Sequence, residues 1–320
     1  MAEPSPSVPR SSVPAAAASP TAAGTTVWTI QALLNWTSDY LARKGIESPR
    51  TEAQLLLAHV LGCKRVDLLV RYDEVPDESQ RSRYRELIQR RVAGWPTAYL
   101  IGSRDFYLLT FEVNPAVLIP RPDTETLVLE ALNWLKPMTN PRIWDVGTGS
   151  GCIAISIAHQ KKDAQVTASD ISPDALAVAQ RNAQRHGVAP RMRFLCGDLT
   201  QPLPAGETFD LIVSNPPYVA EAEFAQLAPE VRDHEPRIAL DGGPDGLLFY
   251  RRLAQEVTPF LRPGGRLLLE IGAGQEQAVR RIFSDHPDWQ LGPTFKDMAG
   301  RPRVVTVLRQ GPANGSPASC

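Results

Sequence analysis

The apolar positions of this chain change period along its length. From Val27 to about Gly94 they recur at helical spacing, through Ile30, Leu33, Leu34, Trp36 and Leu41, then Leu55, Leu56, Leu57, Val60 and Leu61. That spacing predicts amphipathic helices. Ser48-Pro49 reads as a helix start, with Ser48 as cap and Pro49 at the first helical position, and Gly62 as the stop. Asp77 reads as the cap of a third long helix through Tyr84, Leu87, Ile88 and Val92. Its other face carries Arg81, Arg83, Arg85, Arg90 and Arg91, which is either a solvated face or a docking surface for an acidic or RNA-bound partner. Residues 106–113 alternate with period two and predict a short hairpin. Asp123 or Thr124 is then expected to cap a helix through Leu127, Leu129, Leu132 and Leu135.

From Arg142 onward strand and helix patterns alternate. Strands are expected over 143–146, 165–169, 192–196, 209–214, 265–271 and 304–308. Helices are expected over 152–159, 173–186, about 246–261, and 275–283. The alternation predicts an α/β fold: a mostly parallel, doubly wound, Rossmann-like sheet preceded by a small helical domain. The domain reading is a helical domain over 26–100, a hairpin linker over 101–122 and the α/β domain over 123–310. Tails of Ala, Pro, Ser and Gly composition at 1–25 and 311–320 are expected to be disordered and flexible, respectively.

On such sheets ligands bind at the carboxyl ends of the strands, and four strand ends here carry chemistry. Asp145-Val146-Gly147-Thr148-Gly149-Ser150-Gly151 lies between a strand and a helix. Its glycines permit a tight turn and close approach of a ligand to a helix N-terminus. A glycine turn alone suits dinucleotides, phosphates and S-adenosyl-L-methionine alike. It lacks the Gly-Lys-Ser/Thr of a phosphate loop, and Asp145 just before it suits an amino-acid ammonium better than a pyrophosphate. Asp170 closes the next strand, where an acid accepts from both hydroxyls of a ribose; the plainer role is a helix cap. After the third strand, Asp198 is placed to accept from an adenine amino group and Leu199 to pack on the adenine face. Together these ends describe one adenosine-plus-amino-acid ligand, S-adenosyl-L-methionine.

The fourth strand end is Asn215-Pro216-Pro217-Tyr218. Two consecutive prolines cannot continue pairing and stiffen the loop. Such a loop offers the Asn215 side-chain oxygen and the Pro216 carbonyl as two acceptors for one NH2 group, with Tyr218 stacking on the planar group. An amide or aromatic NH2 is a poor nucleophile because its lone pair is delocalised. Two acceptors let the nitrogen pyramidalise toward a methyl donor, so catalysis is mainly positioning.

This tetrapeptide resembles that of Rossmann-like class I methyltransferases acting on planar NH2 groups, in adenine, guanine or glutamine side chains. Residues 118–125 and 235–247 narrow the resemblance to the release factor glutamine methyltransferases (the PrmC/HemK family), over nearly the whole chain up to Leu308. The resemblance implies an S-adenosyl-L-methionine-dependent protein-glutamine N5-methyltransferase acting on the Gly-Gly-Gln glutamine of class 1 peptide chain release factors, in translation termination. It implies that Gly147, Thr148, Gly149, Ser150, Gly151, Asp170, Leu199 and Asn215 bind the cofactor. Asn215, Pro216, Pro217 and Tyr218 would bind the glutamine, with Asn215, Pro216 and Tyr218 as catalytic residues. The helical domain would help grip the release factor, Phe106 would line the pocket, and Arg121 and Glu125 would support the helix entering the fold.

Composition narrows the rest. The formal net charge is −1, and residues 26–100 hold eleven Lys/Arg against nine Asp/Glu. That is thin for a nucleic-acid grip, which weighs against the alternative, a nucleic-acid adenine or guanine N-methyltransferase. A non-catalytic cofactor sensor would have no need to aim an NH2 group. Cys63, Cys152, Cys196 and Cys320 are scattered without metal-ligand spacing, so no metal is expected. No apolar run reaches the roughly 20 residues of a membrane span, and no secretory signal is read at the start. The expectation is a cytoplasmic monomer with no membrane contact and no direct nucleic-acid binding.

Overall fold

Thr29 opens the first helix by accepting from the Ala32 N–H at 3.2 Å, and α1 (Ile30–Arg43) packs on α2 (Pro49–Leu61). The computed structural model describes residues 27–311; the tails expected over 1–25 and beyond Gly311 lie outside the described residues. Pro49 begins α2 as predicted, but Ser48 does not cap it through its side chain. Ser48 adopts a left-handed φ of 49°, and its carbonyl accepts from the Glu52 N–H instead. A short α3 (Asp67–Val70) leads to α4 (Glu78–Val92), where Asp77 and Gln80 close a reciprocal capping box. Leu41, Leu56, Leu57 and Tyr84 are buried between these helices, and the Tyr84 hydroxyl donates to the Ala53 carbonyl at 3.1 Å. Each fully buried leucine contributes about 1.5–3 kcal/mol of transfer free energy.

After α5 (Thr97–Ile101), β1 (Ser103–Phe106) and β2 (Leu109–Glu112) form the expected hairpin. Phe106 points into the core and is 2% exposed, so it does not line the pocket as the resemblance implied. α6 (Glu125–Leu135) follows a single 3-10 turn over Pro122–Thr124. Neither expected cap is used: Asp123 pairs with Arg303 at 2.8 Å, and the Thr124 side chain faces the sheet.

The α/β unit alternates β3 (Arg142–Val146), α7 (Cys152–Gln160), β4 (Gln165–Asp170), α8 (Pro173–Arg185), β5 (Met192–Cys196) and β6 (Phe209–Ser214). A short α9 (Pro229–His234) precedes α10 (Leu248–Glu256), β7 (Leu261–Glu270), α11 (Glu276–Ser284), β8 (Trp289–Lys296) and β9 (Pro302–Arg309). Among the described residues the large sheet runs β5-β4-β3-β6-β7-β9-β8. The first five strands are parallel; β9 runs antiparallel to β7 and β8. Alternate strand residues feed two cores. Ile143, Leu211 and Val213 face α6 and α7, whereas Trp144, Ile212 and Leu267 face α10 and α11. The fold is thus the mostly parallel, two-faced sheet with a helical domain ahead of it.

Two boundaries differ from the periodicity. α10 ends at Glu256 and β7 begins at Leu261, because Pro259 cannot donate inside a helix and a 3-10 turn takes its place. Strand β8 escapes the pattern because Gly292-Pro293 interrupts it; a register shift between Leu291 and Thr294 absorbs them, and the strand sits at the sheet edge where proline is tolerated.

The helical domain is stitched to the α/β unit by Arg91. The expected basic face of α4 is therefore not one surface. Arg91 is buried and bridges Glu52 of α2 and Glu230 of α9, both at 2.8 Å, while Arg90 lies over the Trp95 ring and Arg81 pairs with Glu78. Trp95 also packs on the His234 ring, centroids 4.5 Å apart. Arg91→Ala leaves Glu52 with the Thr97 hydroxyl alone and is expected to cost about 3 kcal/mol in urea denaturation; an unchanged midpoint would show that the bridge holds nothing.

Candidate active site

Strand order reverses beside β3: β4 lies on one side and β6 on the other. A crevice opens at such a switch point, beyond the carboxyl ends of the strands. Here it is a cavity of about 230 Å³ lined by the ends of β3, β4, β5 and β6, with Leu118, Pro120, Arg121 and Thr124 from the approach to α6.

The floor is the glycine turn. The Gly147 and Thr148 N–H groups both donate to the Ser169 carbonyl at 2.9 Å, which binds the turn to β4. Gly151 has φ 80°, and a Cβ there would meet Ile155 Cδ1 at 2.7 Å and Ala179 Cβ at 3.1 Å. Only glycine lets α7 start so close to α8. Asp145 is wholly buried beneath the turn. Its Oδ2 accepts from the Thr148 hydroxyl at 2.7 Å and the Ala154 N–H at 3.2 Å, while Oδ1 has no partner among the described residues. Burial pushes its carboxyl up to about 7. Asp145 does not line the cavity, so it shapes the glycine turn rather than facing an ammonium directly.

Asp170 does line it. One oxygen accepts from the Gly149 N–H at 2.8 Å and the other from the Ser172 N–H at 2.9 Å. Burial raises its pKa, and these backbone donors oppose the rise. The Ser172 contact is the helix-cap role, and it coexists with a carboxylate edge at the cavity. Asp198 and Leu199 reach the cavity too; Leu199 has a left-handed φ of 46°, and Asp198 Oδ1 is engaged by Arg252 at 3.0 Å.

At the fourth strand end the Ser214 hydroxyl donates to the Val146 carbonyl at 2.7 Å, tying β6 to β3 where both strands stop. Asn215, Pro216 and Pro217 then form part of the wall. Asn215 Nδ2 donates to Thr124 Oγ1 at 3.3 Å; neither Asn215 Oδ1 nor the Pro216 carbonyl has a protein partner among the described residues. The segment 235–247 wraps the loop from outside. Val219 exchanges backbone hydrogen bonds with Leu240 and Gly242, and a Cβ on Gly242 would lie 2.8 Å from the Tyr218 backbone. Gln275 Nε2 donates to the Tyr218 carbonyl at 2.9 Å, and Glu235 accepts from Arg121 at 2.5 Å.

Tyr218, like Phe106, Asp145 and Gly151, does not reach the cavity wall. Its ring packs against the core beneath α10, near Gly272, and burial pushes the phenol up to about 12. The expected stacking on a planar substrate is not offered by this arrangement, because the ring lies against Gly272 and the core instead. Gly147, Thr148, Gly149, Ser150, Asp170, Leu199, Asn215, Pro216 and Pro217 all line one cavity, whereas Gly151 is packed at the start of α7 against Ile155 and Ala179. Sequence reasoning missed Thr124 as a site residue, Arg252, and Glu270, which ends β7 buried behind the cavity. Glu270 had a signal: like Asp145 and Asp170 it is an acid closing an apolar strand.

The cradle fits S-adenosyl-L-methionine in shape and in donors. Glycine backbone lies beside a helix start, one carboxylate edge stands at the second strand end, and apolar side chains lie at the third. Because the Asp145 carboxyl titrates near 7 in the fold and near 3.8 unfolded, its stabilising contribution is complete below about 3.8 and lost as pH rises through 7. The melting temperature of Asp145→Asn, in which that group cannot titrate, is expected to fall less than that of the wild type over this window. Parallel profiles would contradict the assignment.

Two family models match the chain: the PrmC N-terminal domain over residues 32–102 and the methyltransferase small domain over residues 121–233. The release factor glutamine methyltransferase of Rhodopirellula baltica is 41% identical over 288 residues, covering 89% of this chain and 97% of that protein. That of Geobacter sulfurreducens is 46% identical over 258 residues, covering 81% and 89%. Among solved structures, the hMettl16 catalytic domain aligns over 72% of this chain and 84% of that one with a TM-score of 0.52 and 14% identity, a likeness of fold alone. At these identities, sustained over both the helical and the α/β parts, the chain belongs to the release factor glutamine methyltransferase family.

Proposed function

We propose that the cavity holds S-adenosyl-L-methionine and that the Asn215 loop clamps the side-chain amide of a glutamine, the Gly-Gly-Gln glutamine of class 1 peptide chain release factors. Family membership gives the reaction: methyl transfer to the glutamine N5 atom by an S-adenosyl-L-methionine-dependent protein methyltransferase. Bound in the cavity, the cofactor supplies an electrophilic methyl group on a sulfonium.

This chain's residues supply placement. The Gly147 to Gly151 turn cradles the amino-acid end, Asp170 accepts from the ribose hydroxyls, and Leu199 covers the adenine. Asn215 Oδ1 and the Pro216 carbonyl accept the two N–H bonds of the glutamine amide. Both acceptors engage more strongly as the nitrogen pyramidalises and its N–H bonds grow more polar, so they favour the transition state over the planar ground state. Tyr218 contributes from behind, by locking the loop's backbone through its carbonyl to Gln275. The observation that carries the reading is the Asn215 amide: its nitrogen is tethered to Thr124 and its oxygen is free at the cavity wall.

The helical domain is the natural grip for the protein substrate, since Arg91 and Trp95 join it to α9, which leads into the segment that wraps the active loop. Among the described residues no helix is long and apolar enough to cross a membrane. We place the protein in the cytoplasm as a monomer, where release factors act.

Two measurements test this reading. With labelled S-adenosyl-L-methionine, a class 1 release factor is expected to be labelled and duplex DNA or rRNA not; the reverse would establish the nucleic-acid alternative. Asn215→Ala is expected to abolish turnover while cofactor affinity stays within about threefold, because the amide acts on substrate placement. Retained turnover would remove the clamp.

A further inference from the structure

Leu199 lines the cavity in a conformation that leucine avoids. Five non-glycine residues among those described have a positive φ, and Leu199, at 46°, is the one of them at the cavity wall. For a side chain of this bulk the left-handed region is strained, and such strain persists only where the surroundings impose it. The Leu199 backbone makes no hydrogen bond of its own among the described residues. Its neighbours are held instead, and by side chains. Arg252 donates to Asp198 Oδ1 at 3.0 Å, and the Thr200 hydroxyl donates to Glu256 Oε2 at 3.2 Å. Arg252 and Glu256 stand one turn apart on α10, and Arg252 Nε donates to Glu256 Oε1 at 2.9 Å, which joins the two arms.

We propose that Arg252 and Glu256 are positioning residues for the cofactor: from α10 they brace Asp198 and Thr200, and the brace holds Leu199 in its left-handed conformation with its side chain set for the adenine face. The inference rests on the reading of Leu199 as the adenine cover.

The rest of the loop fits a braced platform. Before Leu199, the Gly197 N–H donates to the Asp170 carbonyl at 3.0 Å, so the loop starts from the residue proposed for the ribose. A Cβ on Gly197 would lie 2.9 Å from Pro202 Cδ, so the loop folds back tightly on itself. After Leu199, the Gln201 N–H donates to the Asp198 carbonyl at 3.0 Å and the Leu203 N–H to the Thr200 carbonyl at 3.1 Å. Backbone bonds therefore fix both ends, and α10 fixes the turn between them. α10 reaches the same cavity: Phe249, three positions before Arg252 and on its face of the helix, lines the wall with it. The Arg252 and Asp198 side chains are 29% and 31% exposed. An ion pair this exposed contributes little to global stability, so its removal is read in binding rather than in folding.

The test is calorimetry of S-adenosyl-L-homocysteine on the full chain, with thermal melts for folding and steady-state kinetics on a release factor. Arg252→Met keeps the apolar stem and removes the guanidinium. Its Kd is expected to rise about tenfold, because binding must then rebuild the strained turn. Its kcat at saturating S-adenosyl-L-methionine is expected to stay within about threefold. Thr200→Val cuts the other arm of the brace and is expected to raise Kd roughly three- to tenfold. Leu199→Gly relieves the strain and removes the adenine cover, so it weakens binding by itself; Arg252→Met added to it is expected to cost less than about threefold more. A wild-type Kd in either Arg252→Met or Thr200→Val, with Leu199→Gly weakened, overturns the brace alone. Full additivity of Arg252→Met and Leu199→Gly does the same. A wild-type Kd in Leu199→Gly overturns the adenine cover and the brace together.

Discussion

A strand that runs into two prolines has to stop pairing, and the rest of this molecule is arranged around that stop. β6 is central, held between β3 and β7, so its end cannot drift. The Ser214 hydroxyl fastens the last paired residue to the Val146 carbonyl. Beyond it Pro216 disfavours a helical backbone at Asn215, and the Asn215 side chain falls where four strand ends meet. The loop is stiff by composition and placed by the sheet. A reaction that depends on aiming one lone pair needs both properties.

The loop is then enclosed rather than left as a surface turn. Backbone exchange with Leu240 and Gly242, the Gln275 amide on the Tyr218 carbonyl, and the Arg121 to Glu235 pair hold it from outside. The short α9 that leads into the wrapping segment is itself pinned to the helical domain by Arg91 and Trp95. The helical domain and the loop are thus joined through one continuous set of contacts.

Much of this was legible in the sequence because each strand end carries a local signature. The glycine turn, Asp170, Leu199 and Asn215 with its prolines could be placed in order along a predicted parallel sheet, and they line one cavity. What was illegible depends on contacts between distant residues. Tyr218 reads as an aromatic aimed at substrate, yet Gln275 and Gly272 draw it into the core. Thr124 reads as a helix cap, and only the fold brings its hydroxyl to the Asn215 amide. Arg91 reads as one of five surface arginines until two glutamates from different parts of the chain bury it. Strand β8 was hidden by a glycine and a proline that an edge strand tolerates. Local chemistry survives in sequence; the partner that turns a side chain one way does not.

The central claim is geometric, and a complex structure addresses it most directly. In crystals of this chain with S-adenosyl-L-homocysteine and a Gly-Gly-Gln peptide, the glutamine amide nitrogen should lie about 2.7–3.2 Å from both Asn215 Oδ1 and the Pro216 carbonyl. Its open face should point at the cofactor sulfur. A glutamine amide bound elsewhere in the cavity, or one facing the Asn215 nitrogen, would contradict the account.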